Sequence, residues 1–294
     1  MHGVQRFRFG LLAGAACLTV IAPAAAQPTP QAERGFDRYV QLTEQRMAAE
    51  TRPGGHFLWI DGLPEAQRRS VITQLERGTV VSQQLTTPAP AGEIATPGAL
   101  IHHWVGIVFI PGAKVSDVLT FVQDYDHQQN YYAPEVERSK LLERSGNDFK
   151  IYLRLKQTDI ITVVLDTDYD VHYEQLDSTH ASSRSYSTRV AEIDHPDEAN
   201  ERALSPGQDH GFLWRIDSYW RFEEKSGGVF VQCEAISLTR DVPLGLGWMV
   251  APLIEQVPKQ SLEFTLGATR KAVLGRLGGG SARQDESLRQ GNQP

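Results

Sequence analysis

The spacing of apolar residues changes period along this chain, and each change marks a new kind of element. From Gly35 to about Glu50 they recur at helical spacing, at Phe36, Tyr39, Val40 and Met47, until Pro53 to Gly55 stops the run. A second helical stretch, Leu63 to Arg77, has a thinner stripe of Val71, Ile72 and Leu75, with Pro64 near its first turn and Gly78 at its end. Thr86 to Gly98 holds Pro88, Pro90 and Pro97 and reads as a linker. From Leu100 the period shortens. Ile101 to Ile110 is apolar on both alternations, the pattern of a strand buried on both faces. Lys114 to about Gln128 returns to helix, with Val115, Val118, Leu119 and Val122 on one face.

The rest alternates as strands. Val136–Arg144 and Asp148–Lys156 form a hairpin about Ser145-Gly146-Asn147. Ile161–Leu176 and Ala181–Ile193 follow, then a charged loop from His195 to His210. A second hairpin pairs Gly211–Glu224 with Val229–Arg240 across Lys225-Ser226-Gly227-Gly228. Asp241-Val242-Pro243 breaks the last strand, and an apolar helical pattern runs to about Leu277. A long terminal helix after consecutive antiparallel strands needs a curved sheet to lie on. The predicted fold is therefore α+β, a helix-grip of about seven antiparallel strands around a long C-terminal helix. Residues 27–99 form a helical extension and Pro-rich linker, 100–277 the grip domain and 278–294 a disordered polar tail.

The first residues change the picture of where the protein works. Arg6 and Arg8 precede an apolar run, Phe9 to Ala22, and Ala24-Ala25-Ala26 offers a cleavage site. Residues 1–26 read as a secretory signal peptide, which predicts an exported protein, periplasmic where the host has an outer membrane, with no stable membrane insertion after cleavage. The formal net charge is −7. That sign argues against nucleic acid and anionic membranes as partners. Of the two cysteines, Cys17 lies in the leader and Cys233 mid-strand, so no internal disulfide is expected and Cys233 reads as a buried hydrophobe.

Three stretches resemble the START / SRPBCC superfamily, the birch-pollen-allergen-like and polyketide cyclase-like proteins. They are Gly112–Pro134 (GAKVSDVLTFVQDYDHQQNYYAP), Trp220–Glu234 with its Gly-Gly turn, and Arg240-Asp241-Val242-Pro243 leading to the terminal helix. The resemblance implies a cavity between sheet and helix that takes an apolar or amphipathic, lipid-like molecule. It places Tyr131 and Tyr132 near the pocket entrance.

Alternation sorts the candidate lining. Trp214, Trp220 and Phe222 share one strand face, opposite the small residues Cys233, Ala235 and Ser237 on the next, and Tyr169 faces the interior of its own strand. Glu234 and Arg240 lie on the other alternation among apolar neighbours, and Arg154 sits between Leu153 and Leu155. Such charges need partners, and an Arg–Glu pair in a cavity suits an amphiphile with one polar end. A rim or structural ion pair explains them equally.

No nucleophile elbow, zinc helix, phosphate loop or dinucleotide fingerprint is present, so no catalytic residue, cofactor or metal is assigned. Asp166, Asp168 and Asp170 lack the glycine and glutamate of a calcium loop and read as a solvated strand face. His195, Asp197, Asp209 and His210 bracket one loop without metal-ligand spacing. The leading expectation is an exported carrier. One alternative is a cyclase, hydratase or aromatase using Tyr131, Tyr132, His102 or His103, and a cavity arginine. Another is a protein that docks a partner through residues 34–98.

Overall fold

The computed structural model describes residues 27–290 apart from 53, 91, 159–160 and 242–246, and the side chains of the C-terminal helix between residues 256 and 279. The leader lies outside the described residues, as does most of the break after Asp241. Helix α1 (Pro30–Glu50) starts where the Thr29 hydroxyl accepts from the Ala32 N–H, with Pro30 in the first turn. A 3₁₀ turn (Trp59–Gly62) and α2 (Glu65–Glu76) follow, then β1 (Val81–Gln84) and β2 (Ala99–Pro111). Helix α3 (Val115–Val122) and a 3₁₀ turn (Tyr125–Asn130) precede β3 (Val136–Ser145), β4 (Asp148–Thr158), β5 (Thr162–Gln175) and β6 (His180–Asp194). The short β7 (Arg202–Ala203), then β8 (Arg215–Lys225), β9 (Gly228–Arg240) and α4 (Gly247–Gln290) complete the chain.

The strands form one antiparallel sheet in the order β1-β2-β9-β8-β6-β5-β4-β3, with β7 on β6. The first long strand thus pairs with the last, Ala99 opposite Arg240 through Pro111 opposite Gly228. Helix α4 lies on the inner face of this sheet, as the helix-grip architecture requires. Its Leu262 and Leu266 press on β2 at Gly106, where a Cβ would stand 2.6 Å from the Leu266 Cδ1. No described helix is long and apolar enough to cross a membrane.

The structure differs from the sequence expectation in four places. Residues 27–99 are not a separate unit ahead of the grip. Helix α1 lays Phe36, Tyr39 and Met47 against Ile236, Leu238 and Tyr219 on the outer face of the sheet. Leu58, Ile60 and Leu75 cover Ile107, Phe109 and Phe230 beside them, and β1 joins the sheet edge. The helical pattern from Lys114 to Gln128 divides into α3 and a 3₁₀ turn. The final hairpin strand begins at Arg215 rather than Gly211, with Phe212 exposed ahead of it. The backbone of α4 continues to Gln290, past the expected disorder from Gly278.

Replacing Leu266, wholly buried on α4, by Ala removes the contact that sets the helix on β2. Urea unfolding followed by circular dichroism should show a loss of about 2–5 kcal/mol. The same change at exposed Leu142 should stay within about 0.5 kcal/mol.

Candidate functional site

The inner face has two ends of different character. One is filled. Phe121, Tyr125, Tyr132, Phe149 and Tyr173 interlock there, with the Tyr125 and Tyr173 hydroxyls 2.7 Å apart and the Tyr132 hydroxyl 2.9 Å from Thr269 Oγ1 on α4. Burial pushes these phenols well above their ordinary range. The other end is uncovered. Trp104 on β2, Ala235 on β9, Ile216, Ser218 and Trp220 on β8, and Leu153 and Leu155 on β4 all belong to the inner face by register, yet each stays half-buried. A residue under a close-packed helix meets no water. The described side chains of the helix, from residue 256 on, therefore leave this end partly open to water.

The uncovered end is lined by rings and small polar groups. Trp220 stacks on Phe222 at 6.2 Å between centroids and 14° between planes. Ser185 of β6 stands opposite Ser218 of β8, which stands opposite Ala235. Tyr169 is buried on β5, its hydroxyl pushed up to about 12 by burial. His102 Nε2 lies 2.9 Å from Thr239 Oγ1, and burial holds its imidazole below its ordinary range. Trp104 Nε1 is sealed from water and makes no hydrogen bond.

Of the residues expected to line a site, Tyr169, Trp220 and Phe222 share this inner face. Tyr132 is also inside, at the filled end. Tyr131 is not with them. It borders an open groove of about 580 Å³ with Ala268, Ala272 and Gly275, and its hydroxyl accepts from Arg276 at 3.1 Å. Trp214 precedes β8 and packs on the outer cluster beneath α1. Arg154, Glu234 and Arg240 are on the outer face, so no Arg–Glu pair enters the grip. Arg154 instead binds both Glu201 oxygens, at 3.0 and 2.7 Å, and pins the loop between β6 and β8. The physical reason is the alternation itself: charges fell on the face opposite the rings, and the N-terminal segment and loops supply their partners.

Glu234 shows how that works. Its carboxylate accepts from His103 Nε2 at 2.6 Å and from Arg46 of α1. Burial raises its pKa, but the bond and charge of His103 and the charge of Arg46 more than offset this and hold it low. Tyr39 Oη accepts from the Thr87 N–H at 2.8 Å and lies 2.9 Å from His103 Nδ1. His102 and His103 point to opposite faces, and neither is near Tyr131. The loop histidines are likewise apart. His210 bonds Glu192, while Asp209 accepts from the Gly211 N–H at 3.0 Å. Among the described residues no group of three or more His, Cys, Asp or Glu is placed to hold a metal. Sequence reasoning missed Trp104 as lining, although its strand parity marks it. It missed the partnership of Tyr39 and Arg46, seven positions apart on one helix face.

Solved structures of similar architecture include a STAR-related lipid transfer protein from Xanthomonas axonopodis, 18% identical, covering 65% of this chain and 98% of that one at a TM-score of 0.41. The Zhui aromatase/cyclase from Streptomyces sp. R1128 is 12% identical, covering 60% and 96% at 0.42. Human STARD10 is 11% identical, covering 79% and 90% at 0.42. No protein-family model and no curated protein matches the sequence. At these values the likeness is one of architecture and assigns no activity to this chain.

One buried group on the outer face lacks good partners. Asp217 of β8 is 1% exposed, and neither carboxylate oxygen makes a hydrogen bond. Arg215 Nη2 is 3.8 Å away, Tyr186 and Tyr219 flank it, and Glu44 and Asp37 of α1 add like charge. Burial, tempered by Arg215, raises its pKa from 3.8 to about 6. A raised carboxyl favours the folded state fully below pH 3.8, and that advantage is lost as pH rises through about 6. Asp217→Asn should therefore stabilise the protein at pH 8 by about 3 kcal/mol and flatten this part of the stability profile. Urea midpoints between pH 4 and 8 check it.

Proposed function

We propose that the protein is a non-catalytic carrier that holds an apolar small molecule against the uncovered end of the inner sheet face. One observation carries this reading: Trp220, Ile216, Ala235, Leu153 and Leu155 face inward yet stay partly exposed. Inward-facing rings beside small residues make a concave apolar surface with few polar groups, the composition of small-molecule sites. The scatter of Tyr131, Tyr132, His102 and His103 over separate places supports binding over acid–base chemistry, which needs its groups within hydrogen-bond reach of one substrate. The charged leader residues Arg6 and Arg8, the apolar run after them and the three alanines support an exported protein working outside the cytoplasm.

The test is a titration with N-phenyl-1-naphthylamine, a neutral apolar dye that fluoresces on leaving water. Saturable enhancement with one dye per chain is expected. Ser218→Trp, which fills the uncovered end, should weaken binding at least about tenfold with unchanged far-ultraviolet circular dichroism. Dye binding that does not saturate, or that Ser218→Trp leaves intact, removes the proposal.

A further inference from the structure

We infer that the inner-face site selects an uncharged molecule bearing a hydrogen-bond acceptor, such as a ketone, ester or ether oxygen, and rejects the anion of a fatty acid or acidic lipid. The inference rests on the carrier reading above and narrows its ligand. Two independent observations carry it.

The first is the unpaired donor. Trp104 Nε1 is buried without a partner, whereas native proteins satisfy nearly all such groups with protein, water or ligand. Trp104 stands opposite Ala235 in the register, and Ala235 stands opposite Ser218. A donor left unsatisfied on an apolar face is a seat for one acceptor oxygen.

The second is the charge inventory. Among the described residues, no Lys or Arg stands on the inner face of β2, β4, β5, β6, β8 or β9. Arg154, Arg215, Arg221, Lys225 and Arg240 all take outer positions. His102 is the nearest titratable base. It is occupied by Thr239, and burial disfavours its charged form. The inner-face carboxylate Glu192, opposite Leu165, adds negative charge and is tied to His210. An anionic head placed here would lose hydration and meet no cation on these six strands, a heavy penalty in a low-dielectric site. An ester oxygen loses far less and gains the indole donor. A cationic head fares no better, since Glu192 already accepts from both the backbone and the ring of His210.

The experiment compares cis-parinaric acid with its methyl ester at pH 8. The two share one fluorescent chain and differ in charge at one end. The ester should bind the unmodified protein at least about tenfold more tightly. Trp104→Phe keeps a ring and removes the donor, and should lower ester affinity about five- to tenfold, narrowing the ratio of ester to acid. Equal affinities, or tighter binding of the acid, overturn the inference and leave the carrier reading standing. Absence of ester binding overturns it too, and the naphthylamine titration then shows whether the carrier reading falls with it.

Discussion

A strand with protein on both faces has few side chains free to meet water, and β9, buried but for Ala235 and Arg240, is such a strand. Its residues must serve two cores at once. Val229, Val231 and Cys233 meet α4 on the inner side, while Phe230, Ile236 and Leu238 meet the N-terminal segment on the outer side. Two outer positions in the middle of the strand are polar. Gln232 accepts from the Trp59 N–H at 2.6 Å, and Glu234 binds His103 and Arg46. Without α1 and the Trp59 turn, these groups would sit on an apolar sheet with no partner, and a lone buried charge is among the most destabilising features a fold can carry. The extension is thus part of the domain's polar accounting as well as its apolar one.

This division of labour shapes the inner face. Strand cations between β4 and β9 find partners on the outer side: Arg154 with Glu201, Arg221 with Glu50, Arg189 with Asp168. Apart from Glu192 and Glu224, what remains on the inner face of these strands is uncharged, mostly rings, branched aliphatics, serines and threonines. The chemistry of the candidate site follows from the way the outer layer recruits charge.

Much of this was legible in the chain, for definite reasons. Strong period-two runs bounded by Gly-containing turns located the hairpins and put Trp220 and Phe222 inside. The doubly apolar run Ile101–Ile110 also announced that something covers the second face. That something was the segment just upstream, whose stripe of Phe36, Tyr39 and Met47 was visible as a helix face. The sequence could not say which surface the stripe lies on, because pairing over such separations depends on tertiary geometry. The placements of Arg154 and Glu234 were uncertain for a related reason. Alternation says two residues lie on opposite faces, but only the covering elements decide which face is solvated. Trp214 was misplaced because strand parity was extended one residue beyond the strand. Tyr131 followed the resemblance toward the pocket, whereas the 3₁₀ turn carries it out to the C-terminal half of α4.

The pairing of β2 with β9 has a consequence for how the molecule comes into being. A chain emerging from its N-terminus makes α1, α2 and β2 early and the partner of β2 almost last. Closing that pair encloses every intervening strand in one loop, and such distant contacts are slow to form because the chain gives up its freedom before the contact rewards it. Until residues 228–240 arrive, the apolar stripe of α1 lacks much of its bed, and β2 has an open edge. The interval of greatest vulnerability is therefore set by the delivery of a single late strand, and a cell that makes this protein would have to shelter an unfinished sheet until that strand appears.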